Sequence, residues 1–299
     1  MIKTLIVITG PTAVGKTAAA IEVAQLLHCD IINADSRQVF RELSIGTAVP
    51  TPEELALVHH HFVQFKSLDE YYSAAQFEAD VMALLPKLWE QGDYAVMCGG
   101  SMLYVDAVCH GIDLIPDISD EVRASVKKQW QEQGLEPLLQ ELERLDPDYF
   151  AMVDKKNPVR IIHAIEVCRQ TGVPYSSLRT GKAKVRPFNI IKIGLNMERQ
   201  QLFDRINRRV DMMIDAGLEQ EARRVYPLRH LNSLNTVGYK EMFAYFDGTM
   251  DRNTAIERIK KNTRVYAKKQ LTWLQRDPDI TWCTPQECLP TIKHKISML

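Results

Sequence analysis

Unbroken apolar runs and helical stripes alternate along this chain in an order that predicts its elements. Residues 4–9, Thr4-Leu5-Ile6-Val7-Ile8-Thr9, are rich in β-branched side chains and predict a strand buried on both faces. Residues 16–27 change to a helix-forming composition, with Ala18, Ala19, Ala20, Val23, Ala24 and Leu27 available for packing. Ile31-Ile32-Asn33-Ala34 predicts a second short strand that runs out at Asp35. Residues 36–65 have little helical period and carry Gly46, Pro50 and Pro52, which predicts a long functional loop or lid. Ser73-Ala74-Ala75-Gln76 has the capping-box form and opens a helix to about Gln91. A strand over 94–98 and a helix over 103–110 follow. Then the strands stop. Segments 119–133, 135–145 and 158–170 predict helices, broken by Gly134, Pro147 and Pro158. The next strand-like run is 189–195, followed by helices over 199–216 and 251–276.

The two halves of this pattern meet at a glycine loop. Gly10-Pro11-Thr12-Ala13-Val14-Gly15-Lys16-Thr17 fits G-x-x-x-x-G-K-[ST] without a mismatch, between a predicted strand and a predicted helix. The glycines let backbone N–H groups surround an anion, and the helix start adds its partial positive charge. Lys16 is expected to reach the terminal phosphates and the Thr17 hydroxyl to ligate Mg²⁺, directly or through water. The expected fold is α/β: a P-loop-containing parallel sheet core flanked by helices over 1–115 and 187–299, with a mainly helical insertion over 116–186. Asp35, at a strand end, and Gly99-Gly100-Ser101, at another, fall where open α/β sheets bind ligands.

The 251–276 helix carries two patterns. Ile256, Ile259, Thr263, Tyr266, Gln270 and Trp273 share one stripe, while Arg258, Lys261, Arg264 and Lys268 gather on another. No acidic residue lies between Arg258 and Arg276, so an anionic polymer is the expected partner of that face. Across all 299 residues, 37 Lys and Arg face 38 Asp and Glu, so any RNA contact must come from local patches. No apolar run approaches the ~20 residues of a membrane span, and the first residues lack a signal-peptide layout. Cytoplasmic location, a monomer and reduced thiols at the six cysteines are expected. His59-His60-His61 is expected to pack rather than ligate, because consecutive side chains point in different directions. Cys283, Cys288 and His294 lack a fourth ligand for zinc and are read as a surface strand.

Six segments in order give the chain a resemblance to the tRNA dimethylallyltransferases (tRNA isopentenyltransferases) of the bacterial type. They are 10–17; Asp35-Ser36-Arg37-Gln38-Val39-Phe40-Arg41 with Ile45-Gly46-Thr47-Ala48; 99–104; 160–166; Gly238-Tyr239-Lys240-Glu241; and Lys268-Lys269-Gln270-Leu271-Thr272-Trp273. The resemblance implies transfer of a dimethylallyl group from dimethylallyl diphosphate to N6 of the adenosine adjacent to the anticodon of tRNA, with release of diphosphate and a requirement for Mg²⁺. It implies that the loop 10–17 holds the diphosphate and that Asp35, Lys16, Thr17 and Ser101 carry catalysis, Asp35 as general base. It places RNA contacts at Asp35, Ser36, Arg37, Gln38, Arg160, Ile161, Ile162, His163, Lys240, Arg264 and Lys268, with the insertion gripping the anticodon stem-loop. Phe40, Val49 and His163 depart from the tyrosine, lysine and arginine usual in that family. From the residues alone, a P-loop small-molecule kinase, an adenylate isopentenyltransferase acting on free AMP and a nucleotide-dependent RNA-binding switch remain open. The kinase explains 10–17 and Asp35 equally well, but not the acid-free basic helix.

Overall fold

The computed structural model describes residues 3–299. Six strands form one sheet in which every pairing is parallel: β1 (Thr4–Thr9), β2 (Ile31–Asn33), β3 (His60–His61), β4 (Tyr94–Cys98), β5 (Asn189–Leu195) and β6 (Ile280–Cys283). Their order across the sheet is β3-β2-β4-β1-β5-β6. All six residues of β1 are buried, as expected of a central strand with both faces covered. Helix α1 (Lys16–Leu27) turns Ala19, Ala20, Val23 and Ala24 onto the sheet and leaves Ala18 exposed; the core includes Ile6, Ile8, Ile31, Val96, Ile193 and Leu195.

The contacts divide the chain into two compact units, 1–110 with 185–299, and 111–184. The first carries the sheet together with α2 (Pro52–Leu57), α3 (Ala74–Leu88) and α4 (Met102–His110). The second is wholly helical, with α5 (Asp120–Gln133), α6 (Glu136–Leu145), α7 (Pro147–Met152), α8 (Pro158–Thr171) and α9 (Tyr175–Leu178) around Val126, Leu138, Leu142, Ile161 and Ile165. The first unit then continues with α10 (Arg199–Asp215), α11 (Leu218–Val225), α12 (Tyr239–Phe246), α13 (Arg252–Leu274) and α14 (Cys288–Ser297). Among the described residues no helix is long and apolar enough to cross a membrane.

The long loop over 36–65 is less irregular than its composition suggests. Thr51 and Glu54 exchange hydrogen bonds in a capping box, with Pro52 in the first turn, and start α2. That T-x-x-E signal is present in the sequence, but six residues are too few to show a helical period. Within the histidine run the central ring packs, as expected. His60 is buried, with Nδ1 on the Val58 carbonyl at 2.8 Å, and burial pushes its pKa down. His59 and His61 lie edge to face with ring centroids 4.4 Å apart. Strand alternation separates neighbours but brings residues two apart to one face. At the other end of the sheet, Cys283 lies in β6 and Cys288 is buried at the start of α14, and all six cysteines are free thiols. Burial holds the Cys288 thiol at about 12 and raises that of Cys283, so neither is poised as a thiolate.

Candidate active site

Two glycine turns meet at the C-terminal edge of the sheet because only glycine fits there. A Cβ on Gly10 would stand 2.5 Å from the Leu195 carbonyl oxygen, and one on Gly99 would stand 2.1 Å from that of Ala34. The absence of side chains lets β1 and β4 end directly beside β5 and β2. After Gly10 the chain passes through Ala13 at φ 66° and Gly15 at φ 110° before α1 begins. These left-handed positions turn the loop back over the helix start.

Lys16 folds into this loop. Its Nζ donates to the carbonyls of Gly10 at 3.0 Å and Pro11 at 2.9 Å. Burial lowers its pKa to about 8, and neighbouring Arg209 pushes the same way while Asp35 pulls it back up. Arg209, on α10, lines the same cavity as Asp35; its own pKa is lowered chiefly by burial, and the Asp35 charge pulls it back up. Arg205 of the same helix donates from Nε to the Ala13 carbonyl at 3.0 Å and braces the loop.

Asp35 stands two residues beyond β2. Its Oδ1 accepts the backbone N–H groups of Arg37 at 2.9 Å and Gln38 at 3.3 Å, a side-chain turn that sets the direction of the carboxylate. Ser101 accepts the Ser36 N–H at 2.8 Å, and its Oγ is 3.1 Å from the Ser36 Oγ, which ties the ends of β2 and β4 together. Gln270 joins the two turns. Its buried amide accepts the Thr12 N–H at 2.8 Å and donates to the Gly100 carbonyl at 2.8 Å. A Cβ on Gly100 would come within 2.6 Å of that amide nitrogen, so Gly100 is needed for the amide to sit there.

Thr12 of the glycine loop, Asp35, Ser101 and Arg209 open onto a cavity of about 550 Å³. Thr12, Asp35, Arg37, Ser101, Arg209 and Lys240 supply polar groups, while α10 and α13 contribute Ile206, Val210, Met213, Ile259 and Tyr266. The cavity therefore combines the cations of Arg37, Arg209 and Lys240 and the carboxylate of Asp35 with apolar side chains from α10 and α13. That combination suits a diphosphate carrying a short hydrocarbon. The stripe anticipated on the 251–276 helix is divided between these tasks: Ile259, Thr263 and Tyr266 line the cavity and Gln270 holds the turns. Trp273 instead donates from its indole to Asp106 at 2.8 Å.

One wall of the cavity is pinned from below. Glu221 is 1% exposed and accepts the backbone N–H groups of Ser44, Ile45 and Gly46 at 3.0, 2.9 and 2.8 Å. It also accepts the Tyr239 hydroxyl at 2.6 Å; burial, and then the Glu221 charge and hydrogen bond, raise that phenol's pKa well above its usual value. Gly46 and Thr47 of the pinned segment line the cavity. Glu221→Ala leaves four donors unmatched, the buried Tyr239 hydroxyl and three part-buried backbone N–H groups, at about 1–3 kcal/mol for each that finds no water. The melting temperature is expected to fall by at least ~5 °C, with a raised KM for substrate, by thermal unfolding and steady-state kinetics. An unchanged melting temperature would mean that the segment holds itself.

The structure assigns the remaining sequence candidates unequally. Ser36, Arg37 and Lys240 line the cavity. The Gln38 amide is committed to the carbonyls of Thr47 at 3.0 Å and Ala48 at 2.9 Å, so it supports the loop instead of facing outward. Arg258, Lys261 and Lys268 are exposed on α13, with the Lys268 Nζ 5.4 Å from the Phe203 ring centre. Arg264 is half-buried and bonded to Asn207, which takes it off the free basic face. In the helical unit Arg160 is exposed, and His163 lies 3.8 Å from Glu166 and against the Tyr175 ring. Ile162 is half-buried. Ile161 is fully buried in that unit's core, which corrects its expected place among the RNA contacts: its side chain packs. Arg209, Arg205 and Glu221 had not been singled out for the site. A glutamine on an otherwise apolar stripe was the one sequence signal for Gln270.

Residues 38–277 match the IPP transferase family. The chain is similar to tRNA dimethylallyltransferase 1 of Phocaeicola vulgatus, at 54% identity over 284 residues covering 95% of each chain. It is 53% identical to tRNA dimethylallyltransferase 2 of Parabacteroides distasonis over 97% of each. A crystal structure of the tRNA isopentenylpyrophosphate transferase of Bacillus halodurans matches with a TM-score of 0.71 and 36% identity, covering 99% of this chain and 96% of that one. A eukaryotic dimethylallyltransferase acting on tRNA shares the fold at a TM-score of 0.77 and 23% identity, over 94% of this chain and 74% of that one. With this much identity over nearly the whole length, the chain belongs to the IPP transferase family, among the tRNA dimethylallyltransferases.

Proposed function

We propose that this chain transfers a dimethylallyl group from dimethylallyl diphosphate to N6 of the adenosine adjacent to the anticodon of tRNA, releasing diphosphate. The observation that carries this reading is the carboxylate of Asp35 on the same cavity as Thr12 of the glycine loop, together with apolar side chains of α10 and α13. An adenine amine is a weak nucleophile, because its lone pair is delocalised into the ring. It needs a base within reach and an electrophile with a good leaving group. As the bond from N6 to the allylic carbon forms, the bond from that carbon to the diphosphate oxygen breaks. The N6 proton passes to Asp35, and Lys16 with the loop N–H groups takes up the charge on the departing diphosphate. The Thr17 hydroxyl offers an oxygen that Mg²⁺ would accept directly or through one of its waters, and a bound Mg²⁺ would add positive charge at the diphosphate. Reaching the site requires the adenosine to leave the RNA stack, at a cost of a few kcal/mol. Phosphate contacts from Arg160 and the basic side of α13 offset that cost in this reading.

The test is transfer itself. Purified protein given radiolabelled dimethylallyl diphosphate and tRNA should label the tRNA in a Mg²⁺-dependent manner. Faster consumption of ATP than of dimethylallyl diphosphate would favour the kinase, and transfer to free AMP at a comparable rate would favour the adenylate enzyme. The contribution of α13 is read from salt dependence. Each phosphate contact adds about one unit to the slope of log K against log salt, so Lys261→Ala/Lys268→Ala should flatten it by about two. Equal affinity and slope in the double variant would make that face merely solvated.

A further inference from the structure

The edge of the sheet farthest from β6 gathers metal-ligating side chains that the transfer reaction does not use. In the parallel pairing of β2 with β3, Ile31 stands beside His60 and Ile32 beside His61, so Asp30 and His59 are neighbours just outside the ladder. Ile31 donates its N–H to the His59 carbonyl at 2.9 Å, which holds the two starts together. His61 Nε2 is 2.8 Å from Asp30 Oδ2. One ligand atom from each of Asp30, His59 and His61 lies within 4.8 Å of the others, with His59 exposed and the other two half-buried. Among the described residues this is the one such grouping of His, Cys, Asp and Glu.

We propose that Asp30, His59 and His61 form a site for a divalent transition cation of the zinc class, which staples β3 to β2. Two imidazoles and one carboxylate suit a borderline ion rather than Mg²⁺, which prefers oxygen ligands in a strict octahedron. Zinc bonds of about 2.0–2.1 Å put tetrahedral ligand atoms roughly 3.3–3.5 Å apart. Side-chain rotation by about an ångström brings the observed positions to that spacing, and solvent at His59 supplies the fourth ligand. The site lies at the starting end of β2, whereas Asp35 lies beyond its finishing end, so the ion acts on stability and not on the transfer chemistry. It has something to stabilise. β3 is two residues long, and joining Asp30 to His59 closes a loop over residues 31–58 that includes Asp35 and the cavity segment 44–47. A cross-link of that span removes many unfolded conformations.

The experiment uses the full chain, stripped with a chelator and held in saturating Mg²⁺. Titration calorimetry with zinc chloride should show one equivalent bound, and zinc at a hundredfold excess over Kd should raise the folded-to-unfolded ratio about a hundredfold. His59→Ala and Asp30→Asn should each weaken binding at least tenfold and abolish the zinc-dependent rise in Tm. His59→Asn, a polar change at an exposed position, provides a second variant should the alanine fold poorly. Cobalt in place of zinc should give d–d absorption without a thiolate charge-transfer band. Failure to bind one equivalent, binding unaltered in the variants, a cobalt–thiolate band, or binding without a Tm shift would each overturn the proposal.

Discussion

Replacing Asp35 with Asn is expected to lower kcat by about 10²–10⁴ while leaving tRNA and donor affinity within a few-fold. The local geometry makes this a clean substitution. Asp35 Oδ1 accepts the Arg37 and Gln38 N–H groups, and an Asn retains that oxygen and the turn it supports. What changes is the second oxygen, which becomes an amide nitrogen that cannot take the N6 proton. The competing role is Mg²⁺ ligation, in which case the defect would appear as weaker metal and donor binding. Single-turnover rates at saturating tRNA, donor and Mg²⁺ separate the two. Turnover near that of the wild type under those conditions would remove Asp35 from the catalytic residues.

Lys16→Ala is expected to cost about 10²–10³ in kcat/KM for the donor, divided between a higher KM and a lower kcat. The kcat part arises because the diphosphate gains charge as it departs. In the free protein the ammonium rests on the Gly10 and Pro11 carbonyls, so it must exchange those contacts for the donor's oxygens. Its lowered pKa adds a second, independent readout. The protonated amine is the form that binds diphosphate, and burial holds its pKa at about 8. Donor kcat/KM in the wild type should therefore be maintained below about pH 8 and fall above it, toward tenfold per unit, as the free enzyme loses that proton. Lys16→Arg, which stays charged in this range, should remove the fall if it retains activity. A flat wild-type profile to pH 10 would show that the amine stays charged in the loop.

Much of the site was legible in the chain, for a local reason. A strand ending in glycines, a lysine and a hydroxyl at a helix start, and a carboxylate at the next strand end are each arrangements of a few consecutive residues. The backbone they require is set by those residues' own φ preferences and hydrogen-bonding groups. Ser73 with Gln76, whose capping box opens α3, was readable in the same way. The short elements α2, β3, α7 and α9 were not separated out, because two to six residues are too few for a period to declare itself. In the histidine run one strand's alternation was visible, but not which neighbouring strand carried Asp30.

The amino-acid sequence by itself therefore determined the sheet's buried strands, the glycine loop, the base candidate and the helical stretch between the two parts of the core. Only the tertiary structure decided what holds these parts in register. Gln270 reaches Thr12 across 258 residues of chain, and Glu221 reaches the segment 44–46 across 175 to 177. Arg209 adds its charge near Lys16 and Asp35 from a helix that shows no pattern distinguishing it from its neighbour Arg208. Such contacts depend on which helix faces pack onto the sheet, and that is settled by burying apolar area over the whole core rather than by any residue's neighbours in sequence. A buried amide or carboxylate then stays where it is because its partners are there, and leaving them unmatched would cost more than the fold can spare.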